Sequence, residues 1–249
     1  MEKLNFDEDH QTWEAFKHLE EFRWLFNKLE VALRQGLHAG PAGTAPHHPG
    51  LYVSRPIYNT YGMGIGAKKF AYDPDHDYED FINHAVVPPG HFWCEWLTGP
   101  HLSIDYQKTS ASNFETRSIW AGKHIDDDNL VKFQQWEKLP KESSPNCFLL
   151  PLKFPWWGVS ATQDLRDLVE GFNVEMRNGK IIEVHLRHGN DLYDDMPVGT
   201  RVIPVWNDDE IPEGVEFRPN LHSDMEKYSA NGNLTDVRRG FIITRPQDQ

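Results

Sequence analysis

Asn173-Val174-Glu175-Met176-Arg177-Asn178-Gly179-Lys180-Ile181-Ile182-Glu183-Val184-His185-Leu186-Arg187 sets two alternating apolar runs on either side of Asn178-Gly179. That dipeptide between such runs is the strongest short-range hairpin signal, because a type I′ turn needs φ > 0 at both central residues. Register decides what the hairpin carries. A two-residue turn pairs Glu183 with Val174 and puts Glu175 on the opposite face. A three-residue turn ending in a glycine bulge pairs Glu183 with Asn173, and Glu175, Glu183 and His185 then share one face. Hard oxygen ligands gathered in that way suit Mg²⁺. Otherwise they form a charged, solvent-facing stripe on an edge hairpin, with His188 and Asp191 as loop residues beyond it.

Working upstream, 161–170 has helical spacing, with Ser160 as cap and Gly171 as stop. Pro155-Trp156-Trp157-Gly158 is a loop and 148–152 an apolar strand. Residues 126–146 are charged and irregular, with a short helix around 130–136. Another strand covers 117–120. The aromatic run 91–96, the turn Leu97-Thr98-Gly99-Pro100 and the run 101–107 predict a second hairpin. Pro88-Pro89-Gly90 is a turn and 75–84 a short helix. Strands at 51–57 and 67–72 flank a glycine loop. Gly and Pro exclude regular structure from 36–50, where His47-His48 is a weak metal candidate. Trp13, Phe16, Leu19, Phe22, Phe26, Leu29 and Leu33 predict one long helix over 12–36, capped by Thr12 and stopped by Gly36. Downstream, short strands are expected at 201–206 and 240–244. The expected fold class is α+β, mostly antiparallel sheets with flanking helices and a long N-terminal helix. Three segments follow: 1–50 (helix and Gly/Pro loop), 51–190 (core) and 191–249 (an extension packed on the core).

Composition sets the limits. The 249 residues are 39% hydrophobic and 25% charged, which excludes a disordered acidic tail. Nine Trp, eight Tyr and fourteen Phe supply an aromatic-rich core. A formal charge of −13 disfavours long nucleic acids and anionic membranes, although a local basic pocket for a small polyanion would not register in it. The two cysteines, Cys94 and Cys147, are too few for a disulfide scaffold or a thiolate zinc site. No apolar run reaches membrane-spanning length, and MEKLNFDEDHQTW lacks a signal-peptide pattern, so a soluble, cytoplasmic protein is expected.

Two further stretches carry chemistry. After Arg55-Pro56 comes Gly62-Met63-Gly64-Ile65-Gly66-Ala67-Lys68-Lys69, where alternating glycines let successive N–H groups face phosphate oxygens. The spacing is neither that of a P-loop nor GxGxxG, and glycines serving turn geometry alone would look the same. Glu95, followed by Trp96 and Leu97, suits a hinge that offers a purine backbone hydrogen bonds and an apolar slot. A core hairpin with Trp93 and Trp96 buried is compatible with that.

In order along the chain, YVSRP (52–56), GMGIG (62–66), CEWLTGPHLSID (94–105), NVE (173–175) and EVHLR (183–187) resemble the ATP-grasp family, most of all the short, stand-alone members from bacteriophages. The resemblance spans about residues 51–190. It implies that Arg55 stands where the family has a phosphate-binding lysine, and that Gly62, Met63, Gly64, Ile65 and Gly66, with Lys68, cover the phosphates. Glu95, Trp96 and Leu97 would form the adenine hinge. Glu175, Glu183 and His185 would fall at metal-ligand positions, with Arg187 holding a phosphate or a substrate carboxylate. Arginine for lysine keeps charge but changes geometry, and His185 replaces the family's asparagine, although imidazole is a poor Mg²⁺ ligand.

What the resemblance implies is an ATP- and Mg²⁺-dependent ligase joining a carboxylate to an amine or other nucleophile through an acyl-phosphate. Its substrates would be small or peptide-like, in the cytoplasm (a host's, if the chain is viral). Arg55 and Arg187 would act at the reacting groups. Two other classes compete. One is a metal-dependent oxygenase using His101-x-x-x-Asp105 and Glu183-x-His185-x-x-His188; the other is a non-catalytic nucleotide-binding or virion-associated protein.

Overall fold

The computed structural model describes residues 16–17, 20–58, 66–83, 86–110, 113–125, 130, 132–147, 171–189, 195–207, 209–219 and 238–246. The expected strand at 148–152, the expected helix at 161–170 and most of the glycine loop lie outside them. Strands β1 (Ala39–Pro41), β2 (Gly50–Pro56), β3 (Lys68–Tyr72) and β4 (His91–Glu95) form an antiparallel sheet in the order β1-β4-β2-β3. The second sheet contains β5 (His101–Ser110), β6 (Asn113–His124), β7 (Phe133–Lys138), β8 (Gly171–Arg177), β9 (Lys180–His185), β10 (Arg201–Trp206), β11 (Glu216–Pro219) and β12 (Arg238–Thr244), in the order β11-β12-β10-β7-β6-β5-β8-β9. All its pairings are antiparallel. The fold is α+β, as expected. Among the described residues, no helix is long and apolar enough to cross a membrane.

The long N-terminal helix is not there. A 3₁₀ helix covers Glu20–Phe26, Asn27 is extended (φ −95°, ψ 100°), and α1 runs only over Lys28–Arg34. The physical cause is a cap. The Asn27 side chain accepts from Glu30 N at 3.0 Å, which starts a new helix in mid-segment, and Lys28 N donates to Ile57 O on the small-sheet side. α1 then serves both sheets. Val31 joins the large-sheet core of Ile104, Tyr106, Ile119, Phe172, Val174 and Ile181, while Ala32 packs with Leu37, Phe92 and Cys94 of the small sheet. The other face of the small sheet buries Tyr52, Tyr72 and Trp93 against Phe81 of α2 (Pro74–Asn83).

Two other expectations are corrected. β4 and β5 are not a hairpin: β4 pairs with β1 and β2, β5 with β6 and β8, and Trp96–Pro100 crosses between the sheets. The turn chemistry of LTGP marks a change of direction but cannot say which strand comes alongside. The residues read as a short helix around 130–136 instead enter β7, because pairing with β6 and β10 outweighs local spacing.

Large-sheet alternation separates two faces. The apolar side chains above fill one; the other carries His101, Ser103 and Asp105 on β5, opposite Arg177, Glu175 and Asn173 on β8. Because the Asn27 cap starts α1, Asn27→Ala is expected to cost about 1 kcal/mol, seen as a lower denaturant midpoint at unchanged slope. An unchanged midpoint would show that tertiary contacts alone set the start of α1.

Candidate functional site

The β8–β9 hairpin closes through Asn178 (φ +49°) and Gly179 (φ +70°), the type I′ turn that Asn-Gly favours. Neither anticipated register occurs. Arg177 pairs with Lys180 and Met176 with Ile181, but Glu175 then pairs with Glu183 and Asn173 with His185. Ile182 is the extra residue of a bulge in β9. The two-residue turn alone would have sent Glu175 and Glu183 to opposite faces. The bulge brings them back to one.

Ligand atoms of Glu175, Glu183 and His185 all lie within 4.8 Å of one another. Glu183 Oε1 faces His185 Nε2 at 3.4 Å, and its Oε2 is 3.1 Å from Lys28 Nζ at the start of α1. Glu175 Oε2 is 3.0 Å from His101 Nε2. The side chains of Lys28 and His101 are only 8% exposed, so both contacts are made largely out of water. Burial opposes ionisation of Glu175. The His101 hydrogen bond, with the positive potential of His101, His185 and Lys28, outweighs it and holds the carboxyl below its ordinary value.

Arg55, at the end of β2, donates from Nη1 to Ile182 O at 3.0 Å and lies over the Phe92 ring. Its Nε is buried with no hydrogen-bond partner among the described residues. Burial pushes its pKa down, and the Glu183 and Glu175 carboxylates work the other way, so the guanidinium stays charged. Neighbouring Cys94 is a core residue whose thiol is pushed up to about 11 by burial.

The other predicted residues are more scattered. Gly62, Met63, Gly64 and Ile65 lie outside the described residues. Gly66 has φ +82°, a left-handed backbone that strains any other side chain. Lys68 is exposed on β3, opposite Ser54. Glu95 is committed to the sheet, its N–H donating to His38 O and its Oε1 accepting from His38 N, both at 2.8 Å. Trp96 N donates to Leu51 O. The Trp96 ring takes Lys69 Nζ from the small sheet at 5.0 Å and the Arg177 guanidinium from the large sheet at 4.9 Å. Leu97 packs against the cluster of Phe92 and Cys94. Arg187 Nη1 donates to His188 O.

The oxygenase constellation does not assemble. Asp105 accepts from Ser118 Oγ, Asn173 Nδ2 and Gly189 N, and His188 Nδ1 meets Arg117 Nη1 at 3.1 Å. Among the described residues, the one metal-competent group is Glu175, Glu183 and His185. His48 stacks on His38. Sequence reading missed Lys28 and Gln35, and gave His101 only to the oxygenase constellation. Only Lys28 has a local signal, in the Asn27-x-x-Glu30 cap that precedes α1.

In architecture the chain is similar to N5-carboxyaminoimidazole ribonucleotide synthetase from Thermus thermophilus, with a TM-score of 0.50 at 9% identity, covering 92% of this chain and 70% of that one. It has an ATP-grasp fold. Other similar structures are N5-carboxyaminoimidazole synthetase from Staphylococcus aureus complexed with ADP (TM-score 0.48, 8% identity, 91% of this chain and 69% of that one) and the biotin carboxylase domain of 2-oxoglutarate carboxylase from Hydrogenobacter thermophilus (TM-score 0.48, 10% identity, 96% and 68%). No protein-family model and no curated protein matches the sequence. Within the ATP-grasp fold, the acidic pair occupies β8 and β9 at one edge of the large sheet, and Arg55 reaches it from the small one.

The lowered Glu175 pKa has a sign. Its stabilising contribution is fully present above the ordinary value of 4.5 and is lost as pH falls through the folded value. Wild-type melting temperature should therefore drop more steeply on acidification than that of Glu175→Gln, and the two curves should converge in acid. Parallel curves would mean that the His101–Glu175 contact contributes nothing to the folded state.

Proposed function

We propose that the protein is an ATP- and dication-dependent ligase that joins a carboxylate to an amine or another nucleophile. The observation that carries this reading is the convergence of Glu175, Glu183 and His185 beside a buried arginine from the other sheet. Its support from the sequence is the order of motifs along the chain, and its support from architecture is the ATP-grasp fold. Two carboxylates and an imidazole within ligand distance are a donor set that fits a divalent cation. A dication there would neutralise charge on the β- and γ-phosphates.

The chain's own residues do the rest. Arg55, already desolvated, offers its unspent Nε–H and remaining Nη donors to phosphate oxygens. Lys28 and Arg55 offset Glu183 and Glu175, so the protein side of the site starts close to neutral before a dication and ATP arrive. The segment from Glu95 through Leu97 provides the adenine edge, Gly62–Gly66 with Lys68 covers the phosphates, and Arg187 orients the substrate carboxylate. A carboxylate oxygen attacks the γ-phosphorus and the bond to ADP breaks. The nucleophile's lone pair then attacks the acyl carbon, phosphate leaves, and the amine's proton passes to solvent or phosphate. No side chain forms a covalent bond, so the catalytic task is alignment and charge neutralisation.

A thermal-shift panel of nucleotides, each with and without a divalent cation, tests binding directly; ATP should raise the melting temperature more than GTP. Arg55→Ala should weaken ATP by about 1.5–3 kcal/mol while adenosine changes little, and Arg55→Lys should be milder. Equal loss of adenosine would make Arg55 purely structural. Glu183→Gln should abolish ATP consumption and leave metal-free nucleotide binding nearly intact; turnover at the wild-type rate would remove the hairpin from the active site.

A further inference from the structure

We infer that His185 makes this a site for a first-row transition-metal dication of the Mn²⁺ class rather than for Mg²⁺. The inference deepens the ligase reading and shares its residues. Mg²⁺ asks for near-octahedral oxygen ligands and dehydrates reluctantly. Imidazole is a borderline donor that suits transition metals, whose affinity for nitrogen rises along the first row. Here the third donor beside the two carboxylates is an imidazole nitrogen, on the strand residue facing Asn173.

One ligand pair already has the spacing of such an ion, within a group whose three ligand atoms lie within 4.8 Å of one another. Neighbouring ligands on a metal bound at about 2.0–2.2 Å stand about 3.0–3.4 Å apart, and His185 Nε2 is 3.4 Å from Glu183 Oε1. Each carboxylate has its other oxygen held from outside. Lys28 Nζ takes Glu183 Oε2, and His101 Nε2 takes Glu175 Oε2. Each glutamate offers one ligand atom to the group, so both would act as single-atom donors. Outer partners of this kind fix ligand orientation in metal sites. Lys28 and His101 lie 155 and 82 positions from Glu183 in sequence, and the fold alone brings them to the site. In the structure, His185 Nε2 and Glu183 Oε1 face each other at 3.4 Å.

The test uses the full chain without nucleotide. Mn²⁺ binding is followed by electron paramagnetic resonance, with Mg²⁺ as competitor. Mg²⁺ should displace Mn²⁺ only at about 100-fold excess or more, as expected for a nitrogen-containing donor set. Pulsed measurements should show nitrogen coupling from a directly bound imidazole. His185→Asn should remove that coupling and narrow the Mn²⁺-over-Mg²⁺ preference by about tenfold or more, whereas His101→Asn should keep the coupling. Displacement by equimolar Mg²⁺, absence of specific Mn²⁺ binding, or nitrogen coupling that survives His185→Asn would each overturn the inference. The wild-type competition needs no variant, so a poorly folding His185→Asn leaves the question decidable. Because nucleotide is absent, failure of ATP to bind in the thermal-shift panel would sink the ligase reading and leave the metal preference standing.

Discussion

A bulged residue stands outside regular strand pairing, and in this molecule the carbonyl of one such residue, Ile182, is held by Arg55 from the other sheet. Much depends on that contact. Without the extra residue, the Asn-Gly turn would put Glu183 opposite Val174, and the acidic pair would be divided between the core and the polar face. With it, the pair stands side by side, and the guanidinium that steadies the bulge also reaches the field of both carboxylates. One backbone irregularity therefore sets side-chain direction in the large sheet and anchors the small sheet to it.

The edge that carries the bulge is also closed. β9 ends the large sheet, and an exposed edge invites pairing with other chains. The Gln35 side chain, just past α1, behaves as a fragment of a missing strand. Its Nε2 donates to Ile181 O at 2.8 Å and its Oε1 accepts from Ile181 N at 2.7 Å. Lys180 Nζ reaches back to Gln35 O. With Lys28 on Glu183 at the other end of α1, a seven-residue helix both seals the sheet and supplies charge to the site.

The parts legible in the sequence are those whose cause is local. Strands β2 and β3 were marked by alternation, and the β8–β9 hairpin by Asn178-Gly179. The same-face grouping of Glu175, Glu183 and His185 was anticipated through the wrong bulge: the turn was imagined with three residues, whereas the irregularity sits at Ile182, where nothing in two adjacent isoleucines marks it. The break at Asn27 was legible in principle, since Asn-x-x-Glu is a helix start, but the apolar spacing on either side concealed it. What stayed hidden depends on distant partners. Trp96–Pro100 has turn chemistry whether it joins two paired strands or carries the chain between sheets. His101 gains its meaning only when β8 comes alongside β5.

The grip of Gln35 on Ile181 spans 146 positions, and a ribosome makes the chain from one end. At about 5–20 residues per second, roughly 7–30 s separate synthesis of the helix from synthesis of its partner strand. During that interval the small sheet can close, because its strands all lie between Ala39 and Glu95. Val31 and Leu25 still lack the large-sheet core that will bury them. In the nascent chain, the face of α1 that carries Val31 waits exposed for the strands that will bury it. Made early, it is covered late.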